Sequence, residues 1–367
     1  MWLKQLTVLN FKNYSESSLT FSAEANAFTG PNGAGKTNLL DAIHYLSLCK
    51  SYFNPIDSQH IKVGEDWFMI QGDFEKNEGS DNVSCSLKRN QKKQFKKNKK
   101  EYQRLADHIG QFPLVIISPS DTGIITEGSE ERRKFVDNVI SQTDNKYLDT
   151  LIQYNRILLQ RNTMLKAVKE TGVFDEGLLE VLNIQLSEVG QVIYERRKQF
   201  MADFLPAFVR HYRYLSEEEE TVSLHYDSAL HQHSMQDLLE ASLSKDRLLE
   251  RTTNGIHKDD LLFTIHENMP LKKFGSQGQQ KSFVIALKLA QYSFLTAKKQ
   301  YKPLLLLDDI FDKLDSKRTK MLMQMVSNEE FGQIFITDTD KERIRRIFDE
   351  IGQAIRIFEI ERGNAHE

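Results

Sequence analysis

Residues 30 to 38 read Gly30-Pro31-Asn32-Gly33-Ala34-Gly35-Lys36-Thr37-Asn38: a glycine, four residues, then glycine, lysine and threonine. This stretch constrains the fold more than any other, because the pattern is a phosphate-binding loop that needs a strand before it and a helix after it. Asn26-Ala-Phe-Thr29 supplies a short strand candidate, and the apolar run from Asn38 to Leu48 reads as the helix. Glycines at 30, 33 and 35 let the backbone turn tightly and approach a triphosphate, and the turn's N–H groups make an anion nest. The helix N-terminus also favours negative charge. In this reading Lys36 holds the β- and γ-phosphates of ATP and Thr37 ligates Mg²⁺. Taken alone, the stretch also fits a glycine-rich turn of no special function.

The second half of the chemistry lies far along the chain. Leu304-Leu-Leu-Leu307 runs into Asp308-Asp309. A continuous apolar run of this kind suits a buried parallel strand, and its C-terminal end is where an open α/β sheet places a ligand. Asp308 then has the character of a Walker B aspartate that holds Mg²⁺, and Asp309 would orient or deprotonate an attacking water. About thirty residues earlier, Ser276-Gln277-Gly278-Gln279 opens a helix. Those residue types suit a helix start that caps itself and also binds phosphate. A simple N-cap is the other reading of the same four residues.

The chain has 367 residues, 40% hydrophobic and 28% charged, enough for two domains or one large domain with an insertion. A net charge of -3 does not announce a nucleic-acid binder, so any such surface must come from local clustering. Cys49 and Cys85 show no metal-ligand spacing, which suits a reducing cytosol. The N-terminus does not resemble a signal peptide, and no apolar run approaches a bilayer-spanning length. A cytoplasmic protein without a membrane partner is expected.

Two strands are expected before the loop, joined by the polar bend Asn10-Phe-Lys-Asn-Tyr14. Residues 51 to 121 look mostly β. They include Asp66–Phe74, Asn82–Leu87 and a buried strand within Gln111–Asp121. Lys88 to Arg104 is densely basic, either a solvated hairpin or a polyanion contact. Helical periodicity covers about 129 to 212. One stripe holds Tyr147, Leu151, Tyr154, Leu158, Leu165 and Val168; the next holds Leu178, Leu182, Leu186, Val189, Ile193, Phe200 and Phe204. Gly172 should separate these helices and Pro206 should follow the second. Glu217–Glu220 reads as an exposed acidic loop. His211, His225, His231 and His233 lack the neighbouring acid or Cys that would complete a metal ligand set.

The order phosphate loop, Ser276–Gln279, Asp308-Asp309 resembles that of ABC-type ATPases, with their signature motif between the Walker elements. More narrowly, the chain resembles the RecF family over essentially its full length. The resemblance rests on Asn10–Tyr14, Gly30–Asn38, Pro113–Asp121, Gly128-Ser-Glu-Glu-Arg132-Arg133-Lys-Phe-Val-Asp137, Gly255-Ile-His257-Lys-Asp-Asp260, Ser276–Lys281 and Leu307–Asp315. Ser129 stands where the family often has Pro, and Lys313 where an acidic or small residue is usual. Asp309 replaces the glutamate usual in ABC ATPases. Thr337 or Asp338 occupies the place of their switch histidine, and no glutamine can be assigned among Ser118–Asp121.

The resemblance implies an α/β ABC-type ATPase head, a P-loop NTPase with a mixed β lobe and an inserted α-helical lobe. Residues 1–128 would form the first part of the head, 129–215 the helical lobe and 216–367 the rest. Gly30 to Asn38, with Ser276, Gly278 and Gln279, would contact ATP. Lys36, Asp308 and Asp309 would serve hydrolysis, and Thr37 and Asp308 would hold Mg²⁺. One loop and one signature per chain imply a head-to-tail homodimer around two ATP. The implied function is ATP-dependent DNA binding at single-strand gaps, with RecR and RecO, to load RecA and support the SOS response. Slow, DNA-stimulated hydrolysis would release the dimer. From the residues alone, only a polyanion contact is supported: the 88–104 cluster, Arg132-Arg133 and Lys341–Arg346. Arg132 and Arg133 serve equally well as internal salt-bridge partners. A transporter-type ATPase subunit and a clamp that only binds are the alternatives.

Overall fold

The computed structural model describes residues 1–367 except 77–78, 172–173, 217–219, 267, 312–315 and 328–329. It also leaves out the side chains of 168–171, 316–317 and 326–327. Gly172, Glu217 to Glu219, Lys313 and the Asp312–Asp315 segment, and the side chain of Val168, therefore lie outside the described residues. Two compact units make up the chain: Met1–Asp121 with Gln291–Glu367, and Thr122–Ala290.

The first unit carries β1 (Trp2–Phe11), β2 (Tyr14–Thr20), β3 (Ala25–Thr29), α1 (Lys36–Leu48), β4 (Trp67–Lys76), β5 (Gly79–Lys88), β6 (Gln94–Lys97), β7 (Lys100–Glu101) and β8 (Leu114–Ile117). The second carries α2 (Gly123–Thr126), α3 (Ser129–Ser141), α4 (Asn145–Thr171), α5 (Glu176–Ser216), β9 (Val222–Asp227), α6 (Met235–Leu249), β10 (Asp260–Ile265), β11 (Met269–Pro270) and α7 (Leu271–Phe274). Helix α8 (Gln277–Lys299) starts there and ends in the first unit. The first unit then adds β12 (Leu304–Leu307), α9 (Ser316–Ser327), β13 (Ile334–Asp338), α10 (Lys341–Ile351), β14 (Ile355–Glu361) and β15 (Asn364–His366).

Two sheets form the first unit. The antiparallel one runs β2-β1-β4-β5-β6-β7, and the other runs β15-β14-β3-β13-β12-β8. In the latter β14, β3, β13, β12 and β8 are parallel neighbours. Strands β3, β8, β12 and β13 are buried along their whole length, as a sheet covered on both faces requires. Only β3 of the N-terminal strands enters this sheet; β1 and β2 join the 67–101 strands. The core between the sheets contains Phe21, Phe28, Phe335 and Phe358, with Phe21 edge-on to Phe335 at 4.8 Å. Gln333, buried, ties the layers together. Its Oε1 accepts from Leu3 N at 2.7 Å, and its Nε2 donates to Leu3 O at 2.8 Å and Ser22 O at 2.7 Å.

In the second unit α3 to α6 pack with the small sheet β11-β10-β9. The expected helical lobe at 129–215 is thus part of a larger unit, because β9, α6 and β10 pack on α3 and α5. Pro206 does not follow the second helix but lies inside α5, a correction to the sequence reading. The lost hydrogen bond is outweighed because Phe200, Phe204, Phe208 and Tyr212 stay buried on one face across the proline. Leu178, assigned to the buried stripe, is 46% exposed near the start of α5.

The polar interior of this unit was not visible from periodicity. Arg197 on α5 is buried between two carboxylates. Its Nε and Nη2 donate to Asp137 at 3.1 Å each, and its Nη1 donates to Asp259 at 3.0 Å and to Ile256 O at 2.8 Å. Gly128–Asp137 and Gly255–Asp260 therefore meet at one side chain that the motif reading did not single out.

Candidate functional site

The loop after β3 is shaped by its glycines. Gly30 (φ +144°) passes so close to β14 that a Cβ there would lie 2.4 Å from Ile360 O. A Cβ on Gly35 (φ +117°) would lie 2.5 Å from Asn13 Nδ2. The positive angles favour glycine, and the close approaches leave no room for another residue. Asn13 and Tyr14 explain the polar bend before β2. Asn13 Nδ2 donates to Ala34 O at 2.8 Å, Asn38 Nδ2 donates to Asn13 Oδ1 at 2.7 Å, and Tyr14 Oη donates to Gly35 O at 3.1 Å. Burial holds the Tyr14 phenol well above its ordinary pKa, so it remains a donor.

Helix α1 begins at Lys36 with Gly35 as its N-cap and no side-chain cap. No acid lies in its first turn, so the helix N-terminus keeps its positive potential towards the loop. Lys36 is buried, and its Nζ donates to Gly30 O at 2.8 Å and to Pro31 O at 3.1 Å. Pro31, Asn32 and Gly33 form the exposed part of the loop, while Ala34 and Gly35 are buried.

Asp308 follows β12, and Thr37 Oγ1 donates to its Oδ1 at 2.9 Å across 271 residues of sequence. Thr337 Oγ1 donates to the same oxygen at 2.9 Å, and Ser118 Oγ approaches Oδ2 at 3.5 Å. Burial pushes the Asp308 carboxyl above its usual range, against the pull of the Thr337 and Thr37 hydroxyls. Asp309 adds a push in the same direction. Among the described residues no basic side chain pairs with Asp308. A buried carboxylate faced by hydroxyls and a second acid fits a divalent cation. The glycine loop, uncapped helix start and Lys36 fit a polyphosphate. Asp309 stands next to Asp308 in left-handed backbone, φ +44°, with its N–H bonded to Thr337 Oγ1 at 2.8 Å.

Lys36, Thr37, Asp308 and Asp309 are thus brought together in the first unit. Ser276, Gly278 and Gln279 lie in the second unit at the start of α8. There Ser276 N donates to Gln279 Oε1 at 2.7 Å and Gln279 N donates to Ser276 Oγ at 3.2 Å, a reciprocal capping box. Asn13, Ser118 and Thr337 were not read as site residues. For Thr337 the signal was its place near the end of an apolar strand, where the resemblance puts the switch residue of ABC ATPases.

Of the two roles open to Arg132 and Arg133, their contacts fit the internal salt bridge. Arg132 makes a two-pronged pair with Asp260 at 2.7 and 3.0 Å, and Arg133 donates to Ser129 Oγ and Asp259 O at 2.8 Å each. Both are internal struts because the carboxylates and carbonyls around them are part-buried. Lys93 pairs with Asp57 at 2.8 Å, Lys97 with Asp81 at 3.0 Å, and Arg343 with Asp338 at 2.6 Å. Among the described residues Lys88, Lys92, Lys96, Lys99 and Lys100 have no carboxylate in ion-pair range.

The RecF/RecN/SMC N terminal domain family model matches residues 2–363. The DNA replication and repair protein RecF of Flavobacterium johnsoniae is 50% identical over 98% of this chain and 100% of its own length. That of Bacteroides fragilis strain ATCC 25285 is 46% identical over 100% of this chain and 98% of its own. A solved structure described as the recombination mediator protein RecF-ATP in the RecFOR pathway matches with TM-score 0.89 at 30% identity, over 100% of this chain and 97% of its own. An Smc head domain from Pyrococcus furiosus, at 15% identity and TM-score 0.58, shares the fold. The α/β fold is that of an ABC-type ATPase head, and the chain belongs to the RecF family.

Proposed function

We propose that the chain is an ATP-dependent DNA-binding protein of DNA replication and recombinational repair. The observation that carries this reading is the 2.9 Å bond from Thr37 to Asp308 beside the buried Lys36. Relatives named DNA replication and repair protein RecF, and a neighbour described as RecF-ATP, support it. Family membership favours it over a transporter subunit.

Lys36, the loop N–H groups and Asn38 would bind the triphosphate of ATP, and Thr37 and Asp308 would hold Mg²⁺. When bound, Mg²⁺ would neutralise charge on the β- and γ-phosphates. Asp309 would orient the attacking water or take its proton. Its carboxylate is one methylene shorter than glutamate, which suits slow hydrolysis used as a timer. Ser276, Gly278 and Gln279 would cap the nucleotide of a second copy, giving a head-to-tail homodimer. The dimer would act in the cytoplasm at single-strand gaps, with RecR and RecO, to help load RecA and support the SOS response. Lys88, Lys92, Lys96, Lys99 and Lys100 would give sequence-independent phosphate contacts.

The test is sedimentation with and without ATP and gapped DNA, at two salt concentrations. A dimer that forms with ATP and holds DNA more weakly at higher salt is expected. Lys36→Ala should abolish the ATP dependence and Ser276→Arg the dimer alone. A Lys36→Ala chain that still dimerises with ATP would refute the mechanism.

A further inference from the structure

The hydroxyl of Thr337 joins three groups in a way the Walker elements do not require. Strand β13 lies between β3, which leads into the loop, and β12, which ends at Asp308. Thr337 pairs with Phe28 on β3, and Ile336 with Leu307 on β12. From that position Thr337 Oγ1 donates to Asp308 Oδ1 at 2.9 Å and accepts from Asp309 N at 2.8 Å. Asp309 Oδ1 is 3.5 Å from the same oxygen. Asp309 has φ +44°, a region uncommon for residues with a Cβ, and its N–H is held there by the Thr337 hydroxyl.

The anchor is itself fixed. Asp338 is buried, accepts from Arg343 Nη2 at 2.6 Å and Nε at 3.1 Å, and accepts from Asp340 N at 2.7 Å. Asp340 caps α10 by accepting from Glu342 N at 2.9 Å and Arg343 N at 3.0 Å. The residue next to the one carrying the hydroxyl is therefore tied to α10.

We infer that Thr337 is a positioning residue that holds Asp309 in its left-handed backbone, and so aims the Asp309 carboxylate relative to Asp308. This rests on the nucleotide-site reading above.

The test compares Thr337→Val, which keeps shape and loses the hydroxyl, with Thr337→Ser. Three readouts are taken: affinity for a fluorescent ATP analogue, steady-state hydrolysis, and amide hydrogen exchange at Asp309 in nucleotide-free protein. Thr337→Val should keep affinity within about 3-fold, while kcat falls on the order of 10- to 100-fold because the acid is misplaced. Its Asp309 amide should exchange faster. Thr337→Ser should restore both kcat and protection. The inference is overturned if Thr337→Val hydrolyses at the parent rate, if affinity falls as much as kcat, or if serine fails to rescue. If the parent chain and Lys36→Ala hydrolyse ATP equally, the nucleotide reading fails instead. The exchange arm then still decides whether Thr337 holds Asp309.

Discussion

Replacing Arg197 by methionine keeps most of the side chain's length and removes its charge. Asp259, nearly fully buried, and Asp137 would lose their shared cation, and Ile256 O its donor. Tyr226 and the remaining polar neighbours still serve Asp259, so the loss is not total. Breaking a buried pair by removing one partner costs about 3–5 kcal/mol. Arg197→Lys keeps charge but not the fork, and should lose roughly 1.5–3 kcal/mol. Burial already raises the Asp259 carboxyl, and losing Arg197 raises it further. A raised carboxylate costs stability as pH rises through its folded value, so the methionine defect should shrink from pH 7 to pH 5. Urea unfolding followed by far-UV circular dichroism reports the helices. Trp2 and Trp67, both in the first unit, report that unit by fluorescence. With an m-value of about 1–3 kcal/mol/M the dichroism midpoint should fall by roughly 1–5 M. A methionine variant within about 1 kcal/mol of the parent at pH 7, or a defect indifferent to pH, would refute the reasoning.

Gly30→Ala should abolish nucleotide binding and lower stability by roughly 1–3 kcal/mol, since its Cβ meets Ile360 O at 2.4 Å; calorimetry and nucleotide titration check both. Burial draws His108, His211 and His257 down to about 4. The unfolded chain then binds more protons between the ordinary histidine value and 4, so their stability contribution is present above that window and lost as pH falls through it. The loss is roughly 1.4 kcal/mol per pH unit for each, read as a falling urea midpoint. Lys92→Ala or Lys99→Ala should lower the salt slope of DNA binding by about 1 without destabilising the fold, whereas Arg132→Ala should destabilise the fold.

Local chemistry made the loop, the capping box at Ser276 and the apolar strand before Asp308 legible from residues alone. Each is written in contiguous residue types: glycines where φ is positive, a serine and a glutamine three apart, and four leucines in a row. The pairing of Thr37 with Asp308 was expected only because both motifs were recognised. The roles of Asn13, Ser118 and Thr337 were not, because each acts through side-chain hydrogen bonds to residues distant in sequence. Pro206 was misread because a helix can carry a proline when its neighbours bury the same face on both sides. In sequence Arg132 and Arg133 fit a polyanion contact and an internal salt bridge equally well, and Arg197 is one cation among several on its helix. Only packing decided that they are internal struts and that Lys88, Lys92, Lys96, Lys99 and Lys100 are not, because a charge's partner is set by which carboxylates the fold brings within reach.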